Sequence, residues 1–173
     1  MSRESRHPHV ANLDEIEPRD TVHGRRFASA RKQLGAATGA RGIGCSWYEV
    51  PSGRTAFPRH FHCANEEALF VLEGEGTLRL GDETLELRPG DYATIPVGPA
   101  HAHTLVNRGT SPLRYLCFST MLPTDLVGYP DSNKVLATAA PPASDGGSKE
   151  PWLRMLMRDA SSVGFYDGED GDS

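Results

Sequence analysis

The sequence predicts an all-β domain folded as a sandwich or barrel. Three observations predict it. Short runs rich in β-branched and aromatic residues recur between residues 26 and 120. Turns containing Gly or Pro separate them at close spacing. No apolar period of a helix lies between them.

Residues 1–25 are polar, with acids at Asp14, Glu15 and Glu17, and read as an arm that packs on the domain or on a partner. His7 and His9 belong to that tail, since no carboxylate in a strand pattern stands near them. Ile43–Val50 is the first strong strand, closed by Pro51-Ser52-Gly53. Glu67–Glu73 is the next, ending at Gly74. Residues 77–80 and Glu83–Leu87 flank Gly81-Asp82, a tight hairpin signal. Leu78, Leu80, Leu85 and Leu87 alternate with polar residues, so each of these strands should have one wet face. Strands are also expected at 91–95, 103–107 and 112–120. Trp47, Tyr48 and Tyr92 are expected to line the barrel. Past residue 122 the pattern fades. Residues 138–150 read as loop, 152–158 as a helical turn or strand, and 163–166 as a segment that docks on the barrel. The division expected is an arm at 1–25, a barrel at 26–122, and a loop-rich extension at 123–173 with a frayed acidic end.

Composition narrows the function classes. The chain has 173 residues, 18 basic and 23 acidic, for a net charge of −5. The arginines are scattered, so no nucleic-acid partner is expected. No apolar run approaches the ~20 residues of a membrane span. Cys45, Cys63 and Cys117 lack CxxC spacing, and no signal-peptide core precedes them, which points to a reducing, cytoplasmic compartment.

The chemistry concentrates between Gly53 and Gly74. His60 and His62 are two apart, so on a strand they share a side. Glu67 opens the next strand. Two imidazoles and a carboxylate converge if these strands are neighbours, which is a first shell for a divalent transition metal. A second stretch, Gly90 to Asn107, supplies His101 and His103. Three imidazoles and a carboxylate suit Fe, Mn, Ni, Co, Cu or Zn and leave coordination positions open for an oxygen-bearing small molecule.

These two stretches resemble the two cupin motifs. The first is Gly53…His60-x-His62-x4-Glu67-x6-Gly74; the second is Gly90-x5-Pro96-x-Gly98, then a His, then Asn107. The chain is similar to small, single-domain bacterial cupins of unassigned chemistry through Phe57-Pro-Arg-His-Phe-His-Cys-Ala-Asn-Glu-Glu, Pro112-Leu-Arg-Tyr-Leu-Cys and Gly128-Tyr-Pro-Asp-Ser-Asn-Lys. The resemblance implies a double-stranded β-helix, a jelly-roll barrel, with one metal on His60, His62, Glu67 and a fourth ligand. It also implies an isomerase, of the kind loosely named sugar-phosphate isomerase, or a dioxygenase. A non-catalytic metal-dependent binding module and a storage-like structural barrel are the readings from other classes. A homodimer is expected, with the arm and the segment 26–34 pairing with a second copy.

The motif halves disagree about the fourth ligand. Pro96-x-Gly98-x2-His selects His101; His-x3-Asn selects His103 with Asn107. Register favours His103, because Asn107 fixes the end of its strand and the Gly-Pro loop before it absorbs extra residues. His101 is then a substrate contact, a proton carrier or an exposed residue.

Overall fold

In a computed structural model of the chain, residues 7–141, 151–158, 162–165 and 167 are described. The strands are β1 (Arg19–His23), β2 (Phe27–Gln33), β3 (Ile43–Val50), β4 (Phe61–His62), β5 (Glu67–Glu73), β6 (Gly76–Leu80) and β7 (Glu83–Leu87). Then come β8 (Tyr92–Ile95), β9 (His103–Val106), β10 (Leu113–Thr120), β11 (Thr124–Tyr129), β12 (Lys134–Ala139) and β13 (Leu153–Arg158). One short helix, α1 (Leu34–Ala37), interrupts them.

The strands form three antiparallel groups: β1-β2-β3-β10-β5-β8, β7-β6-β9 and β13-β12-β11-β4. This is an all-β jelly roll. Its core fills the space between the first two groups. Val50, Leu69, Val71, Ile95, Leu113 and Tyr115 come from the large sheet, and Leu78, Leu87 and Leu105 from the small one. Burying each such side chain contributes roughly 1.5–3 kcal/mol.

The β6–β7 hairpin forms as its sequence dictates. Gly81 carries φ of 58°, the left-handed value a tight hairpin turn needs at its first central position. The wet-face expectation holds on β7, where Thr84 and Glu86 are exposed, and fails on β6, which exposes none of its residues fully. Thr77, on the polar side of β6, is buried and hydrogen-bonded to Glu86, while Leu85 is 36% exposed at the sheet edge. Trp47 is buried and Tyr48 packs against the core, but Tyr92 is 62% exposed on the edge strand β8 and lines nothing inside.

The N-terminal stretch supplies β1, which pairs along its length with β2. β2 in turn pairs with β3, so the segment expected to meet a second copy lies inside the sheet and leaves β1 at its edge. The C-terminal extension supplies β11, β12 and β13, and β11 pairs with β4. The segment 152–158 resolves to strand, and Thr138 and Ala139 close β12; residues 142–150 lie outside the described residues. Val163 and Phe165 are exposed, and Tyr166 lies outside the described residues. Among the described residues no helix is long and apolar enough to cross a membrane.

Candidate metal centre

Three short stretches bring the candidate ligands together. The backbones of His60 and His103 exchange two hydrogen bonds, His60 N to His103 O at 3.0 Å and His103 N to His60 O at 2.7 Å. That reciprocal pair sets the imidazoles side by side, with centroids 4.4 Å apart. His62 follows on β4, held between β11 and the amide of Gly98, which donates to His62 O at 2.8 Å. Glu67 begins β5 beside Ile95 of β8 and Ser119 of β10.

His60, His62 and Glu67 each offer a ligand atom within 4.8 Å of the other two. His103 joins through Glu67, with Nε2 3.1 Å from Oε2. It is the deepest of the set at 2% exposure. His101 is not brought into this cluster. It ends the 3-10 turn Pro99–His101, two residues before β9 starts, and its Nδ1 bonds to Val97 O at 3.0 Å. The strand begins at His103, so residue 101 shares no strand face with it.

Asn107 fixes the other end of β9. Its fully buried amide donates to Val50 O and Ser111 O, both at 2.8 Å, and accepts from Gly109 N at 2.9 Å. The extra length upstream is taken up in the Gly98-Pro99 turn.

Each of the three imidazoles has Nδ1 engaged outside the cluster. His60 Nδ1 donates to Pro58 O at 2.9 Å, His62 Nδ1 to Asp125 Oδ2 at 2.6 Å, and His103 Nδ1 to His101 O at 3.3 Å. Nε2 is therefore the nitrogen left for the centre. Sequence reasoning missed Asp125. It is buried on β11 and also accepts from Cys63 N, Ala64 N and Asn65 Nδ2. Burial alone would raise its pKa, but the bonds from His62, Asn65 and Ala64 outweigh that and hold it below the ordinary carboxylate range.

Electrostatics prepare the same set. Burial, reinforced by His103 and His62, pushes the His60 pKa down to about 4, so it is a neutral imidazole near pH 7. Glu67 is desolvated, which raises its pKa, yet the His103 bond and the neighbouring imidazoles outweigh this and keep it ionised.

A cavity of about 160 Å³ adjoins His60 and Glu67. Tyr48, Tyr129, Cys117, Phe57 and Pro58 line it with them. Burial pushes the Tyr48 phenol up to about 12 and raises the Cys117 thiol as well, so both stay protonated near neutrality, the thiol donating to Phe118 O. Cys117, expected as one of three unremarkable cysteines, thus lies on the candidate site.

Residues 46–119 match the family model of the cupin domain. This segment is a cupin domain. Two solved cupin-like structures align over nearly the whole chain. One is a provisionally named sugar phosphate isomerase from Acidithiobacillus ferrooxidans, 25% identical, TM-score 0.72, covering 90% of this chain and 96% of that one. The other is a cupin named sugar phosphate isomerase from Silicibacter pomeroyi, 26% identical, with the same TM-score and coverage. Among curated relatives, quercetin 2,3-dioxygenase of Bacillus subtilis is 38% identical over 60 residues, which is 35% of this chain and 18% of that protein. The chain spans less than half the length of the curated relatives it matches. The matched segment ends within β10, so Asp125 and Tyr129 reach the site from outside it.

Proposed function

We propose that this chain is a small cupin metalloenzyme, holding one divalent transition-metal ion on His60, His62, Glu67 and His103 and acting on a small oxygenated molecule. One observation carries the reading. His62 Nε2 and His103 Nε2 both face Glu67 Oε2, at 3.7 and 3.1 Å, while their Nδ1 atoms already face other acceptors. With Nδ1 of each ring held by a carbonyl or a carboxylate, the Nε2 atoms and the Glu67 carboxylate oxygen are the donor atoms turned toward one another. A cation held among these atoms would meet three imidazole nitrogens and one carboxylate, a donor set that suits a transition metal.

A bound ion would supply Lewis acidity toward a ligand hydroxyl or carbonyl. The chain's own residues supply the rest. Asp125, Pro58 and the His101 carbonyl orient the imidazoles. Tyr48 offers a protonated donor to ligand oxygens, while the Cys117 thiol donates to Phe118 O and Phe57 adds an apolar wall. Donor groups within the cavity favour an enzyme over a purely apolar binding module. Isomerisation is the leading reaction, supported by the names of the two similar structures. Dioxygenation is the second reading, supported by the quercetin dioxygenase relative.

Elemental analysis of protein purified without chelator tests the metal. About one equivalent of a transition metal, removed by chelator and restored by a single ion, is expected. Protein that takes up none of the six ions overturns the reading. Aldose–ketose interconversion followed by NMR, with and without the ion, tests the isomerase arm; oxygen consumption tests the other.

A further inference from the structure

A second cavity, of about 370 Å³, shares Phe57 and Pro58 with the one beside the His–Glu cluster. Residues of β1, β2, the segment 56–59 and the turn at 131–134 build its walls. Its charged lining is Arg26, Arg59 and Lys134 against the single acid Asp131, with His23 beside them. In a chain of net charge −5 this is a local reversal of sign. Thr21 and Ser132 add hydroxyls.

Arg59 is incompletely satisfied among the described residues. Arg59 Nη2 donates to Gly81 O at 2.9 Å, Nη1 reaches Asp131 at only 3.4 Å, and Nε is buried without an acceptor among the described residues. The Asp131 side chain is 46% exposed, so that pair is weak and exchangeable. Arg158 donates to Ser132 O at 3.3 Å, which brings another cation to the rim.

Side-chain contacts run from this cavity to the cluster. Lys134 Nζ lies 5.3 Å from the centroid of the Tyr129 ring, and that ring stacks with His60 at 6.0 Å.

We propose that this cavity binds the phosphate group of a small phosphorylated molecule, whose oxygen-bearing far end reaches the His–Glu cluster. The reach to the cluster rests on the metal reading above; the anion site does not. A phosphate monoester, with three terminal oxygens and a charge of about −2, matches several cations and two hydroxyls better than a carboxylate with two oxygens does.

The test is calorimetric titration of the full chain with inorganic phosphate and with glycerol 3-phosphate, in chelator-treated and metal-loaded protein. Inorganic phosphate should bind saturably and equally in both states. Arg26→Met and Lys134→Met, checked for native circular dichroism, should each weaken it roughly ten-fold. His62→Ala should not change it. Glycerol 3-phosphate should bind the metal-loaded protein more tightly than the chelated one. No saturable phosphate binding, indifference to both cavity substitutions, or loss on His62→Ala overturns the anion site. Glycerol 3-phosphate that gains nothing from bound metal overturns the reach to the cluster. A protein that takes up no metal yet binds phosphate through Arg26 and Lys134 overturns the metal reading and leaves the anion site standing.

Discussion

His62 Nδ1 and Asp125 Oδ2 lie 2.6 Å apart, although the residues are separated by 63 positions in the chain. A carboxylate only accepts, so the imidazole donates and its tautomer is fixed. Asp125 is in turn immobilised by two backbone amides and Asn65. A strand of the C-terminal extension therefore aims a side chain of the cupin domain.

Removing that carboxylate should loosen metal without emptying the ligand set. Asp125→Ala is expected to weaken retention by about 10–100-fold. Metal content after dialysis against graded chelator measures it. Retention equal to wild type would remove Asp125 from the support of the site.

The halves of the site differ in how readable they are. His60, His62, Glu67 and His103 stand in short stretches whose spacing and turn chemistry are local, so the sequence displays them. Asp125 and Tyr129 do not stand out, because β11 inverts the usual pattern: Asp125 is buried while Leu126 is 47% exposed. An apolar period cannot find a strand whose buried positions are Asp, Val and Gly. β1 and β13 were hard to place for a related reason. Nearly all their residues are exposed, so backbone pairing and not burial defines them. The register of β9 was readable because one buried side chain, Asn107, holds three bonds that fix the turn after it.

Gly128 makes room for the ligand strand. It pairs with Phe61, and a Cβ at residue 128 would fall against the Phe61 ring. Gly128→Ala should therefore push β4 and His62 aside, costing about 1–3 kcal/mol. Phe61→Leu in the same chain should recover part of that loss. Denaturant unfolding of the two single variants and the double variant checks the coupling; strict additivity would mean the two residues do not clash.

Tyr115 buries a hydroxyl with no hydrogen-bond partner among the described residues, stacked 5.2 Å from Tyr48. An unsatisfied buried polar group costs about 1–3 kcal/mol. Tyr115→Phe keeps the ring and removes the orphan, so unfolding should shift to higher denaturant. A loss of more than about 1 kcal/mol would show that the hydroxyl has a partner that matters.

A homodimer remains the expected assembly. Among the described residues β13 is the edge of its group and exposes Leu153, Met155 and Leu156, and Leu126 is exposed on β11. An apolar edge with unpaired backbone is suited to a second copy. Sedimentation at micromolar concentration should give twice 18.8 kDa. Met155→Lys with Leu156→Lys should shift it to monomer. A wild-type monomer at that concentration would rule the dimer out.

The fourth ligand gives the sharpest test of register. His103 Nε2 lies 3.1 Å from Glu67, and its ring is 4.4 Å from that of His60. His101 ends the turn before the strand and spends Nδ1 on Val97 O. Its backbone carbonyl, not its ring, faces His103. His103→Ala should thus lower metal affinity far more than His101→Ala, since one of four ligands must be replaced by water. His101→Ala keeps the carbonyl that orients His103, so metal should stay bound; any loss of turnover would then mark a proton carrier. Metal stoichiometry after dialysis decides between them. If His101→Ala empties the site while His103→Ala leaves it full, the fourth ligand is His101 and the metal sits nearer the Gly98-Pro99 turn.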